Sequence, residues 1–545
     1  MNLLKSIELA ISNIKKESLT DVDIFHKPFE LTLIKGNFET DLVKEIQTYF
    51  KEYTLKSLKI SPIPHILFPK KALFDFRKCA YIQIVDEIKY LALVLQVAEI
   101  IERNRIKKSK NIIFSYRFLP NEKGDLYDSA YNYTAFKTYV KQQAKSENVK
   151  VVVTTDIANF YDRINLHRVE SVLLSLRGIE KKQVHLINEI LLFWANRDSY
   201  GLPVGSNASR ILAEAALIEV DNYLISKKIN FCRFVDDYRI FAPDAATAHH
   251  WLAILVERLN KEGLFLNSNK TNLFDVSAET AETAETAETA ETAETAETAE
   301  TAETAETAET AETAETAEKK VYISKIIRGY SGLIPTKFRA LSESEKFSLS
   351  LNKIEILRKN VIESVLIEPI DFVKYVKTII AQESFNDLVL LTNNLNKFPQ
   401  FFPYTLDVIS KFHASFSTSQ ISEIKNNLKV WLDRKETSEF ILVYLVRFFG
   451  NEHFRDKEVL MTFFRNLRRN EGHYIGRVVL EELEDIVTRG EVLEIRDYYV
   501  RADQWEKRQI AKLVSKHFSD GEQRPFFKNV LSNDNDIFLK QICKN

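Results

Sequence analysis

Asp156, Asp236 and Asp237 are the side chains whose surroundings best suit them for chemistry. The run Val151-Val152-Val153-Thr154-Thr155-Asp156 is β-branched and nearly continuously apolar, as in a buried strand, and it delivers a carboxylate at its end. Further along, Phe234-Val235-Asp236-Asp237-Tyr238-Arg239-Ile240-Phe241 sets an acidic pair between apolar flanks, the pattern of a hairpin that turns at the two aspartates. Taken alone, an Asp-Asp pair suits an ordinary β-turn. Joined by a carboxylate from a neighbouring strand, it suits another task. Such a group holds two magnesium ions about 3.5–4 Å apart, a spacing that activates an attacking oxygen and stabilises a departing pyrophosphate. Magnesium shares its oxygen ligands with substrate phosphates, so few protein ligands suffice.

Two further segments fall in order with these. Between them lies Tyr200-Gly201-Leu202-Pro203-Val204-Gly205-Ser206-Asn207-Ala208-Ser209, followed by an apolar helix from Arg210. Glycines ahead of a helix N-terminus let backbone approach a phosphate or base closely. After the acidic pair, Leu264-Phe265-Leu266-Asn267-Ser268-Asn269-Lys270-Thr271 reads as a strand leading to a lysine. Lys270 is a candidate to protonate the leaving pyrophosphate or to offset its charge.

Other elements must position these groups. Residues 1–75 mix helix-like segments with a Pro-rich stretch, and Phe74 to Arg105 carries apolar residues at helical spacing. Residues 111–118 are predicted as a strand, as are 149–155 and Phe231 to Phe241. From Ala278 to Glu318 the chain is a pure Ala-Glu-Thr repeat without an apolar face, expected to be disordered or a weakly held solvated helix. Residues 319–345 read as a connector. Beyond about residue 340 helical spacing recurs in short segments (Val373, Val376, Ile380; Leu388, Leu391, Leu395; Ile421, Ile424, Leu428, Trp431), which predicts a stack of helix pairs over 346–545.

The whole chain of 545 residues has a formal charge of −2, but the repeat alone holds 14 glutamates, and without them the remainder is +12. A basic remainder suits a protein that handles a polyanion. No run of eighteen apolar residues is present, and the N-terminus lacks a signal-peptide pattern. Three widely spaced cysteines (Cys79, Cys232, Cys543) make neither a disulfide framework nor a zinc site, which points to a reducing cytoplasm. Arg468-Arg469-Asn470-Glu471-Gly472-His473 has the Arg-x₄-His spacing of certain ribonucleases, although a solvated helix end explains it more simply.

The ordered set resembles the reverse-transcriptase palm. The Asp156 segment stands as motif A, Gly201–Ser209 as motif B, Phe234–Asp237 as motif C and Gly263–Thr271 as motif D. The resemblance implies an α+β fingers and palm over 76–277 after an N-terminal extension (1–75), with an all-α, HEAT-like repeat domain behind it. It implies catalysis by Asp156, Asp236, Asp237 and Lys270, with Asp156, Ile157, Asp236 and Asp237 at magnesium or manganese. Phe114-Ser115-Tyr116-Arg117-Phe118 resembles a fingers motif, in which Arg117 holds the incoming triphosphate, with Lys78 and Arg77 as companions. Gly205 and Ser206 would approach the nucleotide. Tyr161 stands where such enzymes place a gate under the sugar, with Phe160 as the alternative, and so implies the use of dNTPs.

Val204 occupies a position where many templated enzymes carry glutamine. Together with the Phe-Ser-Tyr-Arg-Phe segment and the helical C-terminal half, this looks like bacterial abortive-infection and related "unknown group" defence-associated reverse transcriptases. That likeness implies antiphage defence, homo-oligomers, and untemplated DNA synthesis primed on a protein tyrosine, leaving DNA attached to the protein. Among 21 tyrosines the sequence selects none; Tyr49 and Tyr53 are N-terminal candidates. Two alternatives are a templated enzyme copying an associated non-coding RNA and a scaffold whose palm binds nucleic acid without catalysis.

Overall fold

The computed structural model describes residues 1–52, 59–70, 76–276, 326, 335–365, 367–467 and 474–544. The Ala-Glu-Thr tract, Tyr53 and the Arg468–His473 motif lie outside the described residues. The chain divides into two compact units that do not follow chain order. One takes residues 1–21, 43–62 and 82–331; the other takes 22–42, 63–81 and 332–545. The expected N-terminal extension is therefore shared between the two, and so is the expected fingers-palm segment at its start.

The first unit is built on a four-stranded antiparallel sheet in the order β4-β5-β3-β6: β3 Val151–Asp156, β4 Phe231–Phe234, β5 Asp237–Ala242 and β6 Asn272–Asp275. All six residues of β3 are buried, which explains its apolar run: it is flanked by strands on both sides. Helix α4 (Tyr133–Gln143) lays Phe136 and Val140 on Val152, Cys232 and Phe241. On the sheet also packs α10 (Ala245–Lys261), with Ala248, Leu255 and Leu259 fully buried.

The unit also holds α1 (Leu3–Glu17), α3 (Ile84–Asn104), α5 (Phe160–Arg163), α6 (Leu166–Ser175), α7 (Lys181–Trp194), α8 (Asn207–Ala216) and α9 (Ile218–Ser226), while α2 (Gly36–Glu52) is divided between the two units. The long helix read from Phe74 begins only at Ile84, because Phe76–Ala80 pairs as β2 with β1 (His65–Pro69) in the second unit. The segment 111–118 is not a continuous strand. It makes single bridges at Ile113 and Phe118 and kinks between them, where Tyr116 takes φ +43°. The stretch before Lys270 makes one bridge, Leu266 to Ile157, and then a 3₁₀ turn over Ser268–Lys270.

Among its described residues the second unit is helical apart from the antiparallel pair β1–β2. Its helices are α11 (Glu343–Ser350), α12 (Ile354–Arg358), α13 (Pro369–Ala381), α14 (Asn386–Asn394), α15 (Phe402–Lys411), α16 (Thr418–Asp433), α17 (Glu439–Gly450), α18 (Lys457–Asn466), α19 (Ile475–Leu483), α20 (Arg489–Asp497), α21 (Gln504–His517), α22 (Asp520–Asn533) and α23 (Ile537–Ile542). Contacts run α15 to α17, α17 to α19, α19 to α21 and α21 to α23, each helix packing on the next but one. Such neighbour-on-neighbour stacking is the solenoid pattern. Capping boxes at Ser342, Ser417, Thr488, Asp503 and Ser519 start five of these helices.

Candidate active site

The end of β3 and the β4–β5 turn meet in register. Asp156 is the cross-strand partner of Asp237, and the Ile157 amide donates to the Asp236 carbonyl at 3.2 Å. The four residues Phe234 to Asp237 reverse the chain with Val235 at φ +56°, a conformation that a β-branched residue rarely takes. A strained residue persists only where its surroundings over-determine it, and it costs about 1–3 kcal/mol. Here the Val235 amide donates to Ser115 Oγ (2.9 Å), and its carbonyl accepts from Arg233 Nη1 (3.0 Å).

Beneath the turn lies a buried ionic network. Arg233, fully buried within β4, is bidentate on Asp221 at 2.9 and 2.7 Å and reaches Glu214 at 2.8 Å. Glu214 also accepts from Arg105 and from Ser115 Oγ. The two arginines hold the Glu214 carboxyl below its ordinary range despite its burial. One cluster thus joins α3, the 115–116 loop, α8, α9 and the β4–β5 hairpin. The sequence reading passed over Arg233, Glu214 and Asp221. The signal was there: a charged residue inside an apolar strand or helix must find partners.

On the other side of Asp156, which is 6% exposed, Lys270 Nζ stands 3.0 Å from Oδ2, held there by the Ser268–Lys270 turn whose Asn267 amide donates to the Asp156 carbonyl. Asp156, Asp236 and Asp237 thus lie at the same end of the sheet, with Lys270 against Asp156. Ile157 can offer only its main chain.

Residues 99–298 match the family model described as reverse transcriptase (RNA-dependent DNA polymerase). Over that segment the chain is similar to reverse transcriptases. No curated protein matches the chain. Among solved structures, the apo telomerase of Candida tropicalis truncated from its C-terminal domain is similar at 13% identity and a TM-score of 0.28, over 44% of this chain and 55% of that one. The telomerase of Candida albicans in complex with a TWJ fragment of telomeric RNA is similar at 13% identity and a TM-score of 0.29, over 83% and 69%. The chain thus spans about half the length of the first of these.

Reverse-transcriptase domains are generally divalent-metal dependent. Among the described residues no group of three or more His, Cys, Asp or Glu side chains is gathered closely enough to hold a metal ion unaided. The donors at this end of the sheet are nevertheless hard carboxylate oxygens, two of them on register partners, with a lysine ammonium already seated against one. That set fits magnesium, which takes part of its shell from substrate phosphates.

The remaining candidates divide. Gly201 and Gly205 of the reverse-transcriptase domain adopt φ +103° and +113°, conformations that glycine takes without penalty. Ser206 caps α8 and donates to Glu87 Oε1 at 2.7 Å, so its hydroxyl positions the loop. Phe160 is 3% exposed and packs in the core. Tyr161 is half-buried; burial raises its phenol, as do Tyr116 and Asp236, while Arg210 opposes them. Arg117 is 2% exposed, its guanidinium held by Glu102 and the Ile106 carbonyl, each at 2.8 Å. Lys78, exposed, and Arg77 sit on β2 in the second unit. The cation that does stand among Tyr116, Tyr127 and Tyr161 is Arg210, in the first turn of α8, its guanidinium 5.2 Å from the Tyr116 ring and paired with Asp21.

Glu87 adds a pH dependence. Burial drives its carboxyl up from 4.5 to about 8, against the pull of the Ser206 hydroxyl and Arg210. A group whose folded pKa is raised contributes its stability below the unfolded value, and that contribution is lost as pH rises through the folded one. Between about pH 5 and about pH 9 the wild type should lose on the order of a few kcal/mol relative to Glu87→Gln. Urea unfolding of both proteins across that range checks it; parallel curves would contradict it.

Proposed function

We propose that this chain is a divalent-metal-dependent DNA polymerase that joins dNTPs at Asp156, Asp236 and Asp237. The observation that carries the reading is the register pairing of Asp156 with Asp237 beside a strained turn bearing Asp236, inside a segment of the reverse-transcriptase family. In the reaction an oxygen nucleophile loses its proton and bonds to the α-phosphorus, the α–β phosphoanhydride breaks, and pyrophosphate leaves. Bound magnesium supplies charge neutralisation for both oxygens of that displacement. Asp156, Asp236 and Asp237, with the Ile157 main chain, would hold it, Asp237 also pairing with Asp156 across the strands, and Lys270 would move from Asp156 to the departing pyrophosphate. Tyr161 lies under the sugar and excludes a 2′-hydroxyl. Tyr161→Ala should raise ribonucleotide incorporation relative to deoxyribonucleotide on the order of tenfold to a hundredfold. Competition between labelled rNTP and dNTP measures that ratio, and an unchanged ratio removes the gate.

By its likeness to abortive-infection enzymes, synthesis is untemplated, starts on a protein tyrosine of a cytoplasmic homo-oligomer, and serves phage defence. The experiment incubates the purified chain with each labelled dNTP and magnesium, without primer or template. DNA that migrates with the protein until protease treatment supports this reading. A product copied from a bound RNA would replace it with the templated alternative. Phage protection retained by Asp236→Asn would replace it with the scaffold.

A further inference from the structure

Three side chains outside the proposed reaction stand together on the surface next to Asp156. Tyr200 is 42% exposed and Phe265 is 49% exposed, two large rings turned to water. Arg163, itself exposed, places its guanidinium 5.9 Å from the Tyr200 ring and 5.8 Å from the Phe265 ring. A lone exposed ring is common on protein surfaces and needs no explanation. These come instead from three separate segments: Arg163 ends α5, Tyr200 precedes the glycine loop, and Phe265 precedes the Lys270 turn.

Backbone hydrogen bonds tie the Tyr200 and Phe265 segments to the stretch 158–164, which carries Arg163 and follows directly on the strand ending at Asp156. The Ala158 amide donates to the Phe265 carbonyl (2.8 Å), the Leu202 amide to the Tyr161 carbonyl (2.9 Å) and the Gly201 amide to the Ile164 carbonyl (3.0 Å). Asn165 bridges to Tyr200. The rings are thus fixed relative to Asp156, not carried on a loose loop. Asp162, the acid next to Arg163 in the chain, is half-buried and engaged within the fold.

We propose that Tyr200, Arg163 and Phe265 form a stacking platform for single-stranded nucleic acid, one base on each ring and the connecting phosphate at the guanidinium between them. The strand's identity as template or product rests on the polymerase reading; its chemistry does not. Ring–cation–ring matches base–phosphate–base, whereas a free nucleotide would use one ring only. Base–aromatic stacking tolerates any sequence because every base has a π-face.

The test is fluorescence anisotropy of a labelled oligothymidylate with the full chain in EDTA, so that no synthesis occurs. Phe265→Ala and Tyr200→Ala should each weaken binding roughly tenfold. Phe265→Tyr and Tyr200→Phe keep a ring and should bind as the wild type does. Arg163→Gln should reduce the salt slope of binding by about one. Wild-type affinity in both alanine variants, with unchanged circular dichroism, overturns the platform. So does a loss confined to labelled dTTP as the probe, which would make this a mononucleotide subsite. Incorporation of dNTP by the wild type is scored separately: its absence with strand binding intact would end the polymerase reading and leave the platform standing.

Discussion

Asp156→Asn and Asp236→Asn should each lower nucleotide incorporation by about 10³-fold or more while leaving the chain folded. The two effects separate because they draw on different physics. Each substitution keeps the shape of the side chain and removes a charge that faces the reaction, where several kcal/mol of transition-state stabilisation are at stake. The same change at Asp156 also removes the partner of Lys270, but that ammonium is 25% exposed and the pair is screened by water. Its loss should cost about 1 kcal/mol or less. Incorporation assays beside thermal unfolding of the same preparations check both halves. A variant that kept a tenth of the wild-type rate would exclude its aspartate from the chemistry.

The largest effect on stability is expected at Arg233→Met. Removing that guanidinium leaves the Asp221 carboxyl buried with only the Tyr238 hydroxyl, at 3.4 Å, while Glu214 keeps Arg105 and Ser115. Breaking a buried pair by deleting one partner costs roughly 3–5 kcal/mol, because the other charge stays uncompensated. Burial already pushes Asp221 upward even with Arg233 present. The double variant Arg233→Met/Asp221→Leu removes both charges and should regain more than half of the loss. Chemical denaturation of the three proteins gives the comparison. If the double variant is no more stable than the single one, the cost lies in packing and not in charge. The Arg233 bond to the Val235 carbonyl adds a second consequence: the single variant should also lose activity in its folded fraction, since the strained turn carries Asp236.

The parts of this architecture that were legible from residues alone are those with a strong local period. The five β-branched residues before Asp156 announced a central strand, and Asp236-Asp237 between apolar flanks announced a hairpin; the strands fall at Val151–Asp156, Phe231–Phe234 and Asp237–Ala242. The helical spacing around Val373, Leu388 and Ile424 appears as α13, α14 and α16. What stayed hidden depends on partners distant in sequence. Residues 111–118 have strand propensity, yet Tyr116 kinks them to bring Ser115 Oγ under Val235. The β1–β2 pair took Phe76–Ala80 from a helix that its apolar spacing seemed to begin. Arg117 looked like a free cation in a motif, and only the fold supplies Glu102 and the Ile106 carbonyl that bury it. Arg210 went unremarked because nothing local says that three tyrosines surround it.

Everything proposed for the chemistry depends on the segments at Asp156 and at Asp236–Asp237 sharing one divalent-ion site. Iron(II) substituted for magnesium, with ascorbate and peroxide, cleaves backbone next to the site where it binds, and mapping the cuts in the full chain reads out that site without any activity. The account predicts two sets of fragments, one ending near Asp156 and one near Asp236, both suppressed by excess magnesium and both lost in Asp156→Asn. Cuts at only one of the two segments, or at neither, would contradict it.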